Sequence, residues 1–342
     1  MSIFIIAEAG VNHDGSLSKA LSLVDIAARS GADAVKFQTF QTDRIVRKGT
    51  SKVAYQQSRD GDGTQDDMIR RLELDHKAHR AIAEHCAVRG IEFMSTPFDT
   101  ESVDLLISLG MKRIKIPSGE ITNKPLIRHM ARQNLPLIMS TGMSSLDEVT
   151  RAVGWIRDVW VGGDCLIEAD LTILHCTSNY PAQAEDINLR AMATIADATG
   201  APIGYSDHSL GTAISIAAAA VGATVIEKHF TIDPNDPGPD HAASLPPSEL
   251  NDLVNAVRMV EASLGDGSKA PRPSELPVRQ LVRRGAVAAR DLPKGQELGE
   301  DDMIFLRPAD GIGPEDVDEA IGKRLTETVS QGTPIERRHL AW

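Results

Sequence analysis

Short apolar runs typical of buried β-strands recur along the chain, and a stretch with helical spacing of apolar positions follows each run. The apolar runs lie at 3–7, 34–37, 92–95, 113–116, 137–140, 171–175, 202–205 and 224–227. The helical stretches lie at roughly 16–29, 76–89, 100–109, 123–133, 146–158, 188–199, 211–221 and 247–263. Alternation of eight strands with eight helices is typical of a closed (β/α)8 barrel, whereas open doubly wound sheets usually contain fewer strands. The pattern therefore predicts an α/β TIM barrel over residues 1–264.

The pattern changes after the last predicted barrel helix. Gly, Pro and Ser are frequent between residues 265 and 274, which is typical of a linker, and we assign residues 265–282 to it. Residues 283–342 contain short apolar segments separated by Gly- and Pro-containing turns, which predict a small irregular β domain. Because this domain has few large apolar residues, we expect it to gain stability by docking against a barrel.

One connection inside the predicted barrel is unusually long. Residues 41–75 are mostly polar and contain Gly-Asp-Gly at 61–63. Long loops in compact domains often cover an active site or form a contact between subunits. Both possibilities remain open for this segment.

Charge and cysteine content restrict the class of protein. The formal net charge of −12 argues against nucleic acid or an anionic membrane as the main partner. The chain starts with MSIFIIA, which lacks a basic flank and is expected to be a strand instead of a signal peptide, and no apolar run is long enough for a membrane helix. The cysteines, Cys86, Cys165 and Cys176, have no metal-ligand spacing, and their odd number predicts reduced thiols in a cytoplasmic protein.

Two histidines, His208 and His229, each follow a predicted strand closely. The stretch between them reads as one helix, so both imidazoles would emerge at the same end of neighbouring parallel strands. Neutral imidazole is the commonest nitrogen ligand of divalent metals in proteins. The pair therefore predicts a metal site across two strand ends.

Other polar residues are expected at the same face, because TIM-barrel active sites lie at the carboxyl ends of the strands. These residues are Glu8, Lys36, Gln38, Ser95, Thr96, Lys115, Ser118, Glu120, Ser140, Thr141, Thr177, Ser178, Tyr180, Ser206 and Lys228. Lysines with several hydroxyls suit a ligand that carries a phosphate and a carboxylate. Glu8 is expected either to orient or deprotonate a water or to pair with a lysine. Asp240 and His241 form either part of the site or only a turn.

Sequence motifs occur at corresponding places along almost the whole chain. They are IAEAGVNHDG at 6–15, VKFQT at 35–39, STPFD at 95–99, KIPSGE at 115–120, STGM at 140–143, YSDH at 205–208, EKHF at 227–230 and GPDH at 238–241. In this order and number they resemble the N-acetylneuraminate (sialic acid) synthases, including the relatives that make legionaminic acid. The last 60 residues or so resemble the antifreeze-like (SAF, β-clip) domain of that family, with Arg284 and the turn at 294–297 in the expected places.

The resemblance implies that the protein condenses phosphoenolpyruvate with open-chain N-acetylmannosamine, giving N-acetylneuraminate and phosphate by C–O cleavage. It implies a divalent metal, Mn²⁺ or Mg²⁺, held by His208 and His229, and a water positioned by Glu8. It assigns the binding of phosphoenolpyruvate to Lys36, Thr96, Lys115, Ser118, Ser140 and Ser206. It assigns the binding of the sugar to Gln38, Glu120, Tyr180 and Asp240, with Arg284 contributed by the partner subunit of a domain-swapped homodimer.

Two departures from the family pattern leave the sugar open. Ser178 stands where many members carry Asn, and Gly285 stands where Ser is common, so the sequence does not choose among N-acetylmannosamine, its 6-phosphate and a 2,4-diacetamido-trideoxy sugar, which is the alternative substrate. The segment at 155–171 has no assigned role. A different class of enzyme, an aldolase with Lys115 or Lys228 as a Schiff-base nucleophile, would not need the histidine pair. A binding protein without activity is the third possibility.

Overall fold

A computed structural model describes residues 2–53, 57, 61–162 and 170–342. It divides into two compact units, Met1–Gly265 and Asp266–Trp342. Cys165 and most of the later half of the 155–171 segment lie outside the described residues. Each unit has a hydrophobic core of its own.

The first unit contains an eight-stranded parallel sheet. Its strands are β1 (Phe4–Gly10), β2 (Ala34–Thr39), β3 (Glu92–Pro97), β4 (Ile114–Ile116), β5 (Leu137–Ser140), β6 (Leu171–Cys176), β7 (Ile203–Asp207) and β8 (Val225–His229). Their order is β3-β2-β1-β8-β7-β6-β5-β4, and the two end strands, β3 and β4, lie beside each other. The predicted barrel is therefore confirmed.

Helices follow the strands as the spacing of apolar positions predicts. The barrel helices are α1 (Leu17–Arg29), α4 (His76–Arg89), α5 (Thr100–Ser108), α6 (Lys124–Ala131), α7 (Leu146–Gly162), α8 (Ala191–Thr199), α9 (Ala213–Ala220) and α10 (Pro247–Leu264). Ser16 begins α1 because its hydroxyl accepts a hydrogen bond from the Lys19 amide. Within the long connection, two further helices form, α2 (Thr42–Ile45) and α3 (Gln65–Arg71).

The interior of the barrel has two layers that differ in chemistry. The lower layer consists of buried apolar side chains, namely Ile6, Ala34, Met94, Ile138, Leu174 and Val225. Two positions further along the same six strands stand Glu8, Lys36, Thr96, Ser140, Cys176 and Glu227. Because side chains on a strand alternate between its two faces, these polar residues also point into the barrel. An apolar layer thus lies directly beneath a polar layer at the carboxyl ends of the strands.

The second unit is a small β domain with an antiparallel pair of strands, β9 (Gly285–Ala288) and β10 (Met303–Leu306). The segment predicted as a linker contains a helix, α11 (Leu276–Val282), and a further short helix, α12, spans Val317–Ala320. The local structure explains why residue 285 is a glycine, since a Cβ at Gly285 would lie 1.7 Å from the carbonyl oxygen of Asp310. Any side chain at this position would push that backbone away.

No helix in the described parts of either unit is long and apolar enough to cross a membrane.

Candidate active site

A cavity of about 560 Å³ opens at the carboxyl ends of the barrel strands. Its size falls in the range of small-molecule sites, and its position is that of TIM-barrel active sites. Of the predicted site residues, those that line it are Glu8, Lys36, Gln38, Thr96, Lys115, Ser118, Ser140, Ser178, Tyr180, Ser206, His208, His229 and Asp240. The strands therefore bring together residues that are far apart in the sequence.

Four charged side chains form the floor of this cavity. Lys36 Nζ lies 2.7 Å from Glu8 Oε2 and 3.5 Å from Glu227 Oε2. Lys115 Nζ lies 3.6 Å from Glu227 Oε1. All four side chains are almost completely buried, so their charges are weakly screened by water. Two cations thus share two carboxylates at the base of the cavity.

The two carboxylates differ in their affinity for protons. Burial raises the pKa of Glu8 to about 7, although Lys36 acts in the opposite direction and Glu227 adds to the increase. Burial also disfavours the charged form of Glu227, but Lys115 and Lys36 together outweigh it and lower the pKa of this residue to about 2. Glu227 is therefore the permanent anion of the floor, whereas Glu8 can exchange a proton near neutral pH.

Hydroxyl groups hold both lysines in place. Lys36 donates a hydrogen bond of 2.9 Å to Thr96 Oγ1, and Lys115 donates one of 2.6 Å to Ser140 Oγ. Ser206 donates to Glu227 Oε1 at 2.8 Å. Such a set of ammonium and hydroxyl donors around a cavity can bind the oxygens of a phosphate or a carboxylate.

Beside these donors, the backbone at Gly142 passes very close to neighbouring side chains. The amide of Gly142 donates to Ser118 Oγ at 3.0 Å. A Cβ at Gly142 would lie 2.1 Å from Ser178 Oγ and 3.1 Å from Cys176 Sγ, so a larger residue there would force the Ser178 side chain to move. Gly142 therefore allows Ser118 and Ser178 to reach the wall of the cavity together.

The two histidines meet as predicted at adjacent strand ends. The ring centroids of His208 and His229 are 5.5 Å apart. Nδ1 of His208 lies 2.7 Å from the Thr177 carbonyl oxygen, and this hydrogen bond fixes the proton on Nδ1 and leaves a lone pair on Nε2. Nε2 accepts from the Tyr180 hydroxyl at 3.1 Å.

His229 has less support from neighbouring groups. Its Nδ1 is buried and has no hydrogen-bond partner among the described residues, and the nearest carboxylate oxygen, Asp240 Oδ2, is 3.9 Å away. Burial lowers the pKa of His208 to about 4 and lowers that of His229 well below its ordinary value. Both rings are therefore neutral at physiological pH, which is the state that binds a metal ion. The donors of this pair fit a divalent metal.

A tighter group of potential ligands lies outside the cavity. Asp14, Asp236 and His241 approach one another closely, but Lys19 Nζ contacts both carboxylates, at 2.7 Å and 3.1 Å. His241 is buried and bonds to Asp14 Oδ1 and to Thr231. The lysine already supplies the cation here, so this group ties together the loops that follow β1 and β8.

Five of the predicted polar residues of the barrel do not line the cavity, namely Ser95, Glu120, Thr141, Thr177 and Lys228. The interpretation of Lys228 as part of the polar site is wrong, because its side chain is fully buried on the outer side of the barrel and pairs with Asp207 at 3.0 Å. Glu120 instead accepts a hydrogen bond of 2.6 Å from Asn123. Arg284 lies in the second unit, directly before β9, with an exposed side chain.

Sequence reasoning missed Glu227, which is central to the floor. Strand alternation could have identified it, since Glu227 stands two positions before His229 and therefore shares its face, whereas Lys228 does not. The apolar side of the cavity was also missed. Several of its residues come from the connection at 41–75, which lies against the cavity.

Comparisons with known proteins agree with this arrangement. The model of the NeuB family matches residues 23–269, and the model of the SAF domain matches residues 283–341. The chain is 50% identical to an N,N'-diacetyllegionaminic acid synthase of Legionella pneumophila, over 99% of this chain and 95% of that protein. It is 45% identical to a synthase of the same description from Campylobacter jejuni, over 96% of this chain and 97% of that protein. Among solved structures, the N-acetylneuraminic acid synthetase of Leptospira borgpetersenii matches with a TM-score of 0.71 and 34% identity, over 81% of this chain and 90% of that one.

Proposed function

The chain belongs to the NeuB family, and from this premise we propose that it condenses phosphoenolpyruvate with 2,4-diacetamido-2,4,6-trideoxymannose to give N,N'-diacetyllegionaminic acid and phosphate. The observation that carries the proposal is the presence, in one cavity, of two buried lysines with hydroxyl partners next to a pair of neutral histidines. The identity to two legionaminic acid synthases favours this sugar over the N-acetylmannosamine that the sequence motifs first suggest.

Phosphoenolpyruvate is proposed to bind at the lysines. Lys36 and Lys115 would neutralise its phosphate and carboxylate, with hydroxyls from Thr96, Ser118, Ser140 and Ser206 around them. Glu227 favours the ammonium form of both lysines in the absence of substrate, because it is an adjacent anion.

The sugar is proposed to bind nearer the mouth of the cavity. Gln38, Tyr180 and Asp240 line the cavity and offer an amide, a hydroxyl and a carboxylate to its oxygen and nitrogen atoms. The sugar-binding roles of Glu120 and Arg284 rest on the family resemblance alone and stay predictions.

His208 and His229 would hold a divalent metal, Mn²⁺ or Mg²⁺, through their neutral imidazoles. When bound there, such an ion supplies a Lewis acid that polarises the sugar aldehyde. The unpartnered, buried Nδ1 of His229 and the lone pair on Nε2 of His208 support this assignment.

The reaction needs one carbon–carbon bond and the loss of one phosphate. C3 of phosphoenolpyruvate attacks the aldehyde carbon, whose oxygen takes a proton, and positive charge develops at C2. Glu8 as a carboxylate accepts a proton from the water that adds at C2, and its negative charge stabilises the cationic centre. The C2–O bond to the phosphate then breaks, phosphate leaves with the electron pair, and the C2 hydroxyl passes its proton to the departing phosphate as the keto group forms.

A lysine aldolase is the second candidate, because burial lowers the pKa of Lys115, as a Schiff-base nucleophile requires. Lys228 is a poor candidate for this chemistry, since it does not line the cavity. Borohydride trapping with pyruvate would label Lys115 if the protein were such an aldolase.

We also propose that the protein is cytoplasmic and that it forms a domain-swapped homodimer. Sedimentation at micromolar concentration tests whether the protein is a dimer.

The decisive experiment is phosphate release from phosphoenolpyruvate by metal-stripped protein, with Mn²⁺ added back. The sugars compared are N-acetylmannosamine, its 6-phosphate and 2,4-diacetamido-2,4,6-trideoxymannose. We expect Mn²⁺-dependent release with the trideoxy sugar, and its loss in His229→Gln. Release with N-acetylmannosamine alone would replace the proposed sugar, and no release with any of the three would refute the synthase function.

A further inference from the structure

The cavity has two chemically different sides. The side formed by the strand ends of β4 to β8 is polar and carries Ser118, Ser178, Tyr180, Ser206 and His208. The opposite side follows β2 and β3 and includes α2 and α3. We call six of its apolar residues the apolar wall, and they are Phe40, Ile45, Met68, Ile69, Leu72 and Phe98.

Helix α3 presents one face to the cavity. Gln65, Met68, Ile69 and Leu72 all line it, and their spacing of i, i+3, i+4 and i+7 places them on a single side of the helix. The opposite face is charged, and Arg70 there pairs with Asp43 on α2. The amphipathic pattern of α3 is thus directed at the cavity.

The apolar wall is not part of the hydrophobic core of the barrel. Phe40 and Met68 are buried, yet they belong to none of the core clusters that the described barrel residues form. Phe40 contacts Phe98 edge-to-face, with ring centroids 6.1 Å apart. Ile45, Ile69 and Leu72 are only half-buried, so part of their apolar surface faces the cavity. An apolar surface of this kind is stabilised when a ligand covers it.

The wall also lacks charge. Within the described residues that line the cavity, the lysines are Lys36 and Lys115, and both stand on the floor in ion pairs. A sugar phosphate at the wall would therefore lose its hydration without gaining a cation. A methyl group at the wall has no polar atom that would lose hydration, and it would bury apolar surface.

We propose that the apolar wall selects the sugar by receiving the C6 methyl group and the methyl of the 4-acetamido group, while Gln65 offers its amide to that acetamido group. This inference rests on the proposed function, since it names the part of the same cavity that distinguishes the trideoxy sugar from N-acetylmannosamine. Hydrophobic contacts of one or two methyl groups typically separate substrates by about 10- to 200-fold in kcat/KM.

The test uses Ile69→Ala and Leu72→Ala, with Arg70→Ala on the charged face of the same helix as the matched control. We expect kcat/KM for the trideoxy sugar to fall by about 10-fold or more in the two wall variants, with a change of less than about 3-fold for N-acetylmannosamine. Arg70→Ala should leave the ratio of the two sugars unchanged. Equal losses for both sugars, or the same change in Arg70→Ala, would overturn the selective role of the wall.

A binding measurement separates this inference from the proposed reaction. The open-chain alcohol 2,4-diacetamido-2,4,6-trideoxymannitol cannot condense, and saturation-transfer NMR reports which of its protons touch the protein. We expect the strongest signals at the C6 methyl and the 4-acetamido methyl, weakened in Ile69→Ala. Weak methyl signals, or no binding at all, would refute the wall even if phosphate release occurs. Strong methyl signals without any phosphate release would retain the wall and reject the proposed reaction.

Discussion

The two faces of neighbouring strands β7 and β8 carry buried charged groups that differ in how completely their hydrogen-bonding atoms are paired. Asp207 and Lys228 are register partners on the outer face, and Ser206 and Glu227 are register partners on the inner face. On the outer face, Asp207 accepts hydrogen bonds from Ser209 and Ser215 besides its 3.0 Å contact with Lys228. Every polar atom of that carboxylate has a partner.

On the inner face, the charges are gathered but incompletely paired. Glu227 Oε2 has no hydrogen-bond partner among the described residues, and the two lysines stay 3.5 Å and 3.6 Å from the carboxylate. A buried polar group without a partner costs stability unless a ligand supplies one. The outer pair therefore serves the fold, whereas the inner group is arranged for a ligand.

The largest expected effect is on folding, from Asp207→Ala. This change leaves the Lys228 ammonium buried without an anion, and breaking a buried pair in this way costs about 3–5 kcal/mol. Urea denaturation measures the loss in the free energy of unfolding. In the double variant Asp207→Asn with Lys228→Met, most of the loss should be recovered, and a single-variant loss below about 1 kcal/mol would show that the pair is not structural.

The next effect is on turnover, from Glu8→Ala. Removing the carboxylate proposed to take the proton from water should lower kcat by at least about 10²-fold. Initial rates of phosphate release measure it, and Glu8→Gln controls for the space left in the cavity. Near-normal turnover in both variants would remove Glu8 from the mechanism.

Lys115→Met is expected to weaken the use of phosphoenolpyruvate strongly while lowering the free energy of unfolding only a little. Loss of one charge-assisted hydrogen bond proposed between Lys115 and phosphoenolpyruvate, about 1.5–3 kcal/mol, should lower kcat/KM for that substrate by about 10- to 150-fold. The free energy of unfolding should change less than in Asp207→Ala, because Glu227 retains Lys36 and Ser206. A loss of stability as large as that of Asp207→Ala would mean that inner and outer charges play the same part.

The smallest effect is a pH dependence. Because the pKa of Glu8 is raised to about 7, its carboxylate is protonated below that pH and charged above it. If the carboxylate is the working form, kcat/KM should fall about tenfold per pH unit as the pH drops below 7. The imidazole of His208, whose pKa is about 4, stays neutral over this range. Glu8→Gln should abolish this fall in kcat/KM below pH 7. If the pH dependence of kcat/KM is unchanged in that variant, another group causes the fall.

Strand positions could be predicted from the sequence, but side-chain directions could not be predicted equally well. Apolar runs identified all eight barrel strands, so residues next to their ends, such as Lys36 and His229, fell in the cavity as expected. The error at Lys228 came from ignoring the alternation of faces, which differs by a single residue between Glu227 and Lys228. A loop interpretation of residues 41–75 hid α3, because a seven-residue helix has too few turns to give a clear periodic signal.

The apolar lower layer of the barrel has a kinetic consequence. Ile6, Met94, Ile138 and their neighbours are buried beneath the lysines, so these described residues close the lower end of the barrel. We expect a molecule that binds at Lys36 and Lys115 to enter from the upper end of the barrel, before any molecule that occupies the region beside α3, and a phosphate released at the floor to leave by the same way. We therefore expect an ordered sequence, in which phosphoenolpyruvate binds before the sugar and phosphate departs after the nine-carbon acid.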